Sequence, residues 1–127
     1  MASELRVNTL KDASGNNSVA TSVVFNGTAK AWFEMANDFL LDDSHNIASV
    51  TDDGTGLITY TYTNNMANAH YAPNAGPTSG ARNTTFIWIE TTSLSTSGAA
   101  ASIGTQSGST TSLVDSANCM ALHGDLA

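Results

Sequence analysis

The sequence predicts an all-β protein: an antiparallel β-sandwich of jelly-roll type with an extended N-terminal arm. Three observations lead there. Ser, Thr and Asn supply 44 of the 127 residues; Thr suits strands, whereas Asn, with ten glycines, suits tight turns. Leu, Glu, Lys and Arg, which long helices favour, are scarce. Short apolar runs are separated by turn signals about every 8–12 residues, the spacing of a sandwich of seven or eight strands.

Residues 1–17 read as the arm and 18–127 as the sandwich. Leu5 and Val7 alternate with Arg6 and Asn8, which favours an extended segment, although Leu10 breaks the phase and leaves a short helix as the alternative. Residues 13–18 form a turn by composition. Residues 19–25 are apolar and β-branched and read as a strand, Asn26-Gly27 as a hairpin turn, and 28–33 as the returning strand. In that return Thr28, Lys30 and Trp32 share one face and Ala29, Ala31 and Phe33 the other. Residues 34–41 have partial helical spacing, but Asn37 and Asp38 in the middle argue against a helix. Residues 42–46 read as a polar loop and 47–51 as a strand. A tight turn follows at 52–56.

Residues 57–63 carry the clearest strand pattern, with Ile58, Tyr60 and Tyr62 on one face and Leu57, Thr59, Thr61 and Thr63 on the other. Residues 64–69 are turn-rich, and His70-Tyr71-Ala72 begins a further strand. Both prolines fall in 73–83, which reads as an exposed loop. Residues 84–92 read as a strand with Phe86 and Trp88 opposite Ile87 and Ile89, apolar on both faces. Such a strand belongs in the centre of a sheet or at an interface. The Ser, Thr, Gly and Ala of 93–112 suit long loops and edge strands. A last strand falls at 118–122.

Four Lys and Arg against eleven Asp and Glu give a net charge of −7. Nucleic acid needs cations to displace its counterions, so it is excluded as a partner, and anionic membrane surfaces with it. No apolar run is long enough to insert into a bilayer, and the first residues show no apolar signal-peptide core. The single Cys119 leaves no intramolecular disulfide, which suits a reducing cytoplasm.

No motif of known catalytic or cofactor-binding chemistry is present, so neither a catalytic residue nor a cofactor is expected. Cys119 with His45, His70 or His123 is a conceivable nucleophilic pair. Its apolar run at 117–122 suits a buried, inert thiol better. His45 and His123 suit turns or surface, and His70 suits a core edge. Asp42, Asp43, His45, Asp52 and Asp53 have no spacing of a calcium loop and read as turn residues, so no metal is expected. Trp32, Tyr60, Tyr62, Tyr71 and Trp88 suit a core poor in other large residues. Trp32 and Tyr62 are also the candidate ligand-stacking residues, for a sugar ring above all.

A resemblance enters at the hairpin. The run from Asp43-Ser44-His45-Asn46-Ile47 through Thr51-Asp52-Asp53-Gly54-Thr55-Gly56 to Tyr60 resembles a recurrent module of tailed-phage fibre and appendage proteins, especially those of aquatic phages. Met66-Ala67-Asn68-Ala69-His70-Tyr71, the upstream Leu5-Arg6-Val7-Asn8-Thr9-Leu10-Lys11-Asp12, Ala29-Lys30-Ala31-Trp32 and the closing Gly124-Asp125 are similar to other parts of it. The bulky 33–41 departs from the glycine-rich stretch usual there, and 73–112 matches none of the module.

The resemblance implies a non-enzymatic virion protein: a homotrimeric fibre-like or tail-associated appendage on the particle surface, assembled in the host cytoplasm. Its arm would bind another virion protein of tail or capsid, and exposed loops would serve host adsorption. A capsid decoration or head-fibre protein at the symmetry axes is the alternative, and a carbohydrate-binding module recognising a host surface glycan a further one. A polysaccharide depolymerase is disfavoured by so short a chain. The residues themselves agree with burial between subunits. Leu, Ile, Val and Phe number only 24, a lean core for a monomer. Leu5, Val7 and Leu10 of the arm, with Phe86 and Trp88 of the two-faced strand, are the candidate anchoring and oligomer-interface residues.

Overall fold

A computed structural model describes residues 5–78, 85–89 and 93–127. Among these residues lie eleven strands and one short helix. A ribbon of β1 (Thr9–Lys11) and β2 (Ser18–Ala20) leads into α1 (Thr21–Gly27). The sandwich begins after them, with β3 (Ala31–Met35), β4 (Leu41–His45), β5 (Ile47–Gly54) and β6 (Leu57–Tyr62). It continues through β7 (Ala72–Pro77), β8 (Thr85–Ile89), β9 (Gly98–Ser107), β10 (Thr110–Leu113) and β11 (Asn118–His123).

The all-β antiparallel sandwich expected from the sequence is the observed architecture. One sheet runs β4-β3-β11-β7. In the other, β5 pairs with β6 and β6 with β9, whose opposite edge takes β8. Beyond its pairing with β6, β9 continues against β10. At that changeover Ile103 donates its N–H to Gly56 and accepts from Val114.

The inner faces meet in one core that includes Phe33, Met35, Ile58, Tyr60, Ile103, Met120 and Leu122. Phe33 of one sheet and Tyr60 of the other lie 5.7 Å apart, ring centre to ring centre. Strand alternation produces this division: Ile58, Tyr60 and Tyr62 point in, as their period predicts.

Asn46 turns the chain from one sheet into the other. Its φ of 57° is a conformation that Asn tolerates better than most residues. Its side-chain amide donates to the carbonyls of Lys30 (3.1 Å) and Asn64 (3.0 Å), and its Oδ1 accepts the Asn64 N–H at 2.7 Å. The corner is thus tied to the start of β3 and the end of β6.

Several expectations change. Residues 19–25 with Asn26-Gly27 do not form a strand and hairpin: the strand ends at Ala20 and α1 follows. Thr21 bonds back to the carbonyls of Val7 (3.1 Å) and Asn8 (3.3 Å) at the ribbon's end. Asn26-Gly27 then closes the helix, a task those residue types also suit. Residues 41–45 are strand β4 rather than loop, since pairing with β3 overrides their low strand propensity.

Residues 72–77 form β7 although both prolines lie there. Among the described residues β7 pairs within the sheet only with β11, and an edge strand tolerates a missing donor. The rest of the expected loop, 79–83, lies outside the described residues. β8 is not central: among the described residues it pairs within its sheet only with β9. The largest reversal is β9, expected as loop or edge and found as the strand on which β6, β8 and β10 assemble. Its small residues are what permit it. A Cβ on Gly98 would run into the Tyr60 backbone, and one on Gly104 would stand 2.8 Å from the Trp88 ring.

Candidate functional site

Three regions carry the residues singled out from the sequence. The first is the N-terminal segment. Leu5 (80% exposed), Val7 and Leu10 all stand in solvent, and so do Val23, Val24 and Phe25 (68%) of α1. No residue of α1 is buried. The segment is nevertheless ordered by polar bonds. Asp12 accepts from Asn17 Nδ2 (2.6 Å) and Ser14 Oγ (2.9 Å), and these two bonds hold its carboxyl below the ordinary carboxylate range. Lys30 Nζ donates to the Phe25 carbonyl and to Thr28 Oγ1, and lies 5.8 Å from the centre of the Phe25 ring.

The second region is the core around Tyr62. Only 5% exposed, Tyr62 offers no ring face to a ligand, which corrects its reading as a stacking residue. Its ring sits 5.9 Å from Tyr60 and 5.8 Å edge-on from Tyr71. Tyr71 Oη donates to the Gly98 carbonyl at 3.2 Å, whereas the Tyr60 and Tyr62 hydroxyls are buried without a partner among the described residues. Burial, first of all, pushes both of these phenols far above the ordinary tyrosine range.

The third region is the outer surface of the two sheets. Trp88 (39% exposed) and Phe86 project from β8 on one side, their rings edge-to-face at 4.2 Å. The rest of that face is hydroxyl-rich and largely self-satisfied: Ser49 with Thr61 at 2.7 Å, and Thr59 donating to Asp53 at 2.6 Å.

The outer face of β4-β3-β11-β7 is built differently. The register sets His45, Trp32, Ala121 and Asn74 in one transverse row and Asp43, Glu34, Cys119 and Gly76 in the next. A groove of about 440 Å³ runs over β3, β11 and β7, with Trp32, Glu34, Asn74, Gly76, Cys119 and Ala121 presented to it. Trp32 is half-buried, so its indole is partly packed and partly offered to solvent. Trp32 thus stands where a stacking residue would, and Tyr62 does not.

Cys119 is exposed, not buried. Asn118, Met120 and Leu122 point into the core and leave Cys119 and Ala121 outside. The sequence concealed that phase because Cys and Ala are small enough for either face. His70 is exposed rather than at a core edge; its N–H bonds Asn68 Oδ1 at 2.7 Å. Asp52 caps Gly54 N–H at 2.9 Å, a turn role. Among the described residues no three His, Cys, Asp or Glu side chains come together as metal ligands, and no helix is long and apolar enough to cross a membrane. No protein-family description, curated protein or solved structure matches the chain.

Proposed function

We propose that this chain is a non-enzymatic structural protein of a phage particle, a homotrimeric appendage. Its N-terminal segment assembles with copies of itself and with a virion partner, and its β-sandwich is displayed outward. One observation carries the reading: the exposed large apolar side chains are concentrated in 5–25, whereas the sandwich closes its own core. Apolar side chains gathered on a short segment mark a surface that is completed by association. The phage setting comes from the resemblance of the Asp43–Tyr60 run and of the 5–12 segment to fibre and appendage modules.

The test is to purify phage particles from a lysate that contains this chain on a density gradient and probe them with antibody against it. Co-sedimentation with intact particles is expected, and gold labelling then distinguishes a tail site from a capsid site. Recovery of the chain only in the particle-free fractions would contradict the proposal.

A further inference from the structure

The groove on the outer face of β4-β3-β11-β7 has a composition that selects among ligands. Its aromatic floor is Trp32, the residue aligned with Ala121 of β11 and, across that strand, with Asn74 of β7. Ala121, Cys119 and Gly76 are small, so the sheet surface beside the indole is low and a flat ring has room to lie there. The volume of about 440 Å³ falls in the range of roughly 300–1,000 Å³ that small-ligand sites occupy.

The polar groups around the indole are mostly acceptors, with His45 beside Trp32 on β4 the one base on the two rows. Glu34 supplies a carboxylate and Asn74 an amide at the groove. Asp43 extends the acceptors on the β4 side, where its Oδ1 takes the Ser44 N–H at 2.8 Å and leaves the other oxygen. Neither the Glu34 carboxylate nor the Asn74 amide is held by another side chain among the described residues. No lysine or arginine stands on either row, and the nearest described cation in sequence, Lys30, is turned to Phe25 and Thr28. Two carboxylates, Glu34 and Asp43, against the single imidazole of His45 disfavour phosphate, sulfate and carboxylate ligands. A fitting ligand has one apolar face for the indole and a rim of hydroxyl donors for the acceptors. A quaternary ammonium is served by an enclosing cage of several aromatic rings, and here one ring lies on an open sheet.

We infer that this face is a sugar-binding subsite, with Trp32 stacking on the apolar face of an uncharged pyranose ring. Glu34 and Asn74 take the ring's equatorial hydroxyls, and Gly76 and Ala121 keep the neighbouring surface clear for it. The pyranose belongs to a neutral glycan chain, because the groove spans three strands, β3, β11 and β7, and is wider than the one indole that floors it. The site does not depend on the trimer or on the phage setting, and each reading can fail without the other.

Gly76 supplies a clean block. Nothing lies within 4 Å of where its Cβ would stand, and its φ is not in the left-handed region, so a side chain placed there enters the groove without disturbing the fold. The experiment titrates the full-length protein with neutral oligosaccharides (cellohexaose, maltohexaose, mannohexaose and a β-1,3-glucan hexamer) by calorimetry and tryptophan fluorescence. Choline and sialyllactose serve as charged comparisons. Saturable binding of at least one neutral hexamer is expected. Its affinity should fall at least about tenfold in Trp32→Ala and in Gly76→Gln, and stay unchanged in Thr111→Ala on the other sheet. Circular dichroism and melting should match wild type for Gly76→Gln.

The proposal is overturned if no neutral hexamer binds, or if one binds equally well to wild type and Gly76→Gln. Preference for choline or sialyllactose would also overturn it. So would dissociation of an oligomer by Gly76→Gln, since the groove would then be an interface between copies of this chain.

Discussion

Phe25 and Phe33 are close in sequence and have opposite surroundings. Phe33 is sealed between two sheets, 1% exposed, while Phe25 stands on a helix that buries nothing. The difference lies in how each segment is held. The sandwich is stabilised by burial of Phe33, Met35, Tyr60, Ile103 and their neighbours. Residues 5–28 are held by polar bonds such as those of Asp12, Thr21 and Lys30. A segment ordered this way leaves Leu5, Val23 and Phe25 in solvent, whereas the sandwich buries most of its large apolar side chains and exposes fewer of them, such as Leu40 and Trp88.

The largest effect should separate the two regions at once. Phe33→Ala removes a buried ring from the centre of the core and should cost about 3–5 kcal/mol, read from urea denaturation, with native mass unchanged in the folded population. A loss below about 1 kcal/mol would mean that the core is not where this account places it.

Next comes the Asn46 corner. Asn46→Ala forfeits the amide's bonds to Lys30 and Asn64 and places a less tolerant residue at φ 57°. About 2 kcal/mol should be lost. Asn46→Gly, which restores the backbone freedom without the bonds, should lose less.

A third effect belongs to the sandwich alone and appears with base. Tyr60 and Tyr62 have folded pKa values raised above the unfolded value of 10.0. The unfolded chain therefore releases these protons first. Their contribution is fully present below pH 10 and is lost as pH rises above it, at about 1.4 kcal/mol per pH unit for each phenol. Melting temperature followed from pH 9 to 11 should drop, and Tyr60→Phe should flatten the drop. A melting temperature level through pH 11 would contradict the burial of these phenols.

The legible parts of the fold were those with a strong period and a single solution. Ile58, Tyr60 and Tyr62 alternate with polar residues, so strand, face and burial could all be read at once. Residues 93–112 could not be read, because Gly98, Ala99, Ala101 and Gly104 have no apolar bulk to betray a centre. Their smallness matters only once Tyr60 and Trp88 lie across them. Asn26-Gly27 carries two meanings, hairpin or helix end, and long-range bonds from Thr21 to Val7 and Asn8 decide between them. Of the two candidate stacking residues, Trp32 reached the surface because its strand alternates against Ala31 and Phe33. Tyr62 went inward by the same alternation in β6. Cys119 shows the limit: its exposure follows from Asn118 taking a core position, which its polarity does not announce.

The comparison between the two regions rests on one claim, that the N-terminal segment is required to assemble the protein. Light scattering of the full chain beside the variant Leu10→Asp/Val24→Asp/Phe25→Asp tests it directly. The account predicts a native mass of about 39 kDa for the wild type, three copies of a 13.1 kDa chain. It predicts a single-chain mass for the variant, with sandwich stability altered by no more than about 0.5 kcal/mol. A single-chain mass for the wild type, or an unchanged trimer in the variant, would contradict it.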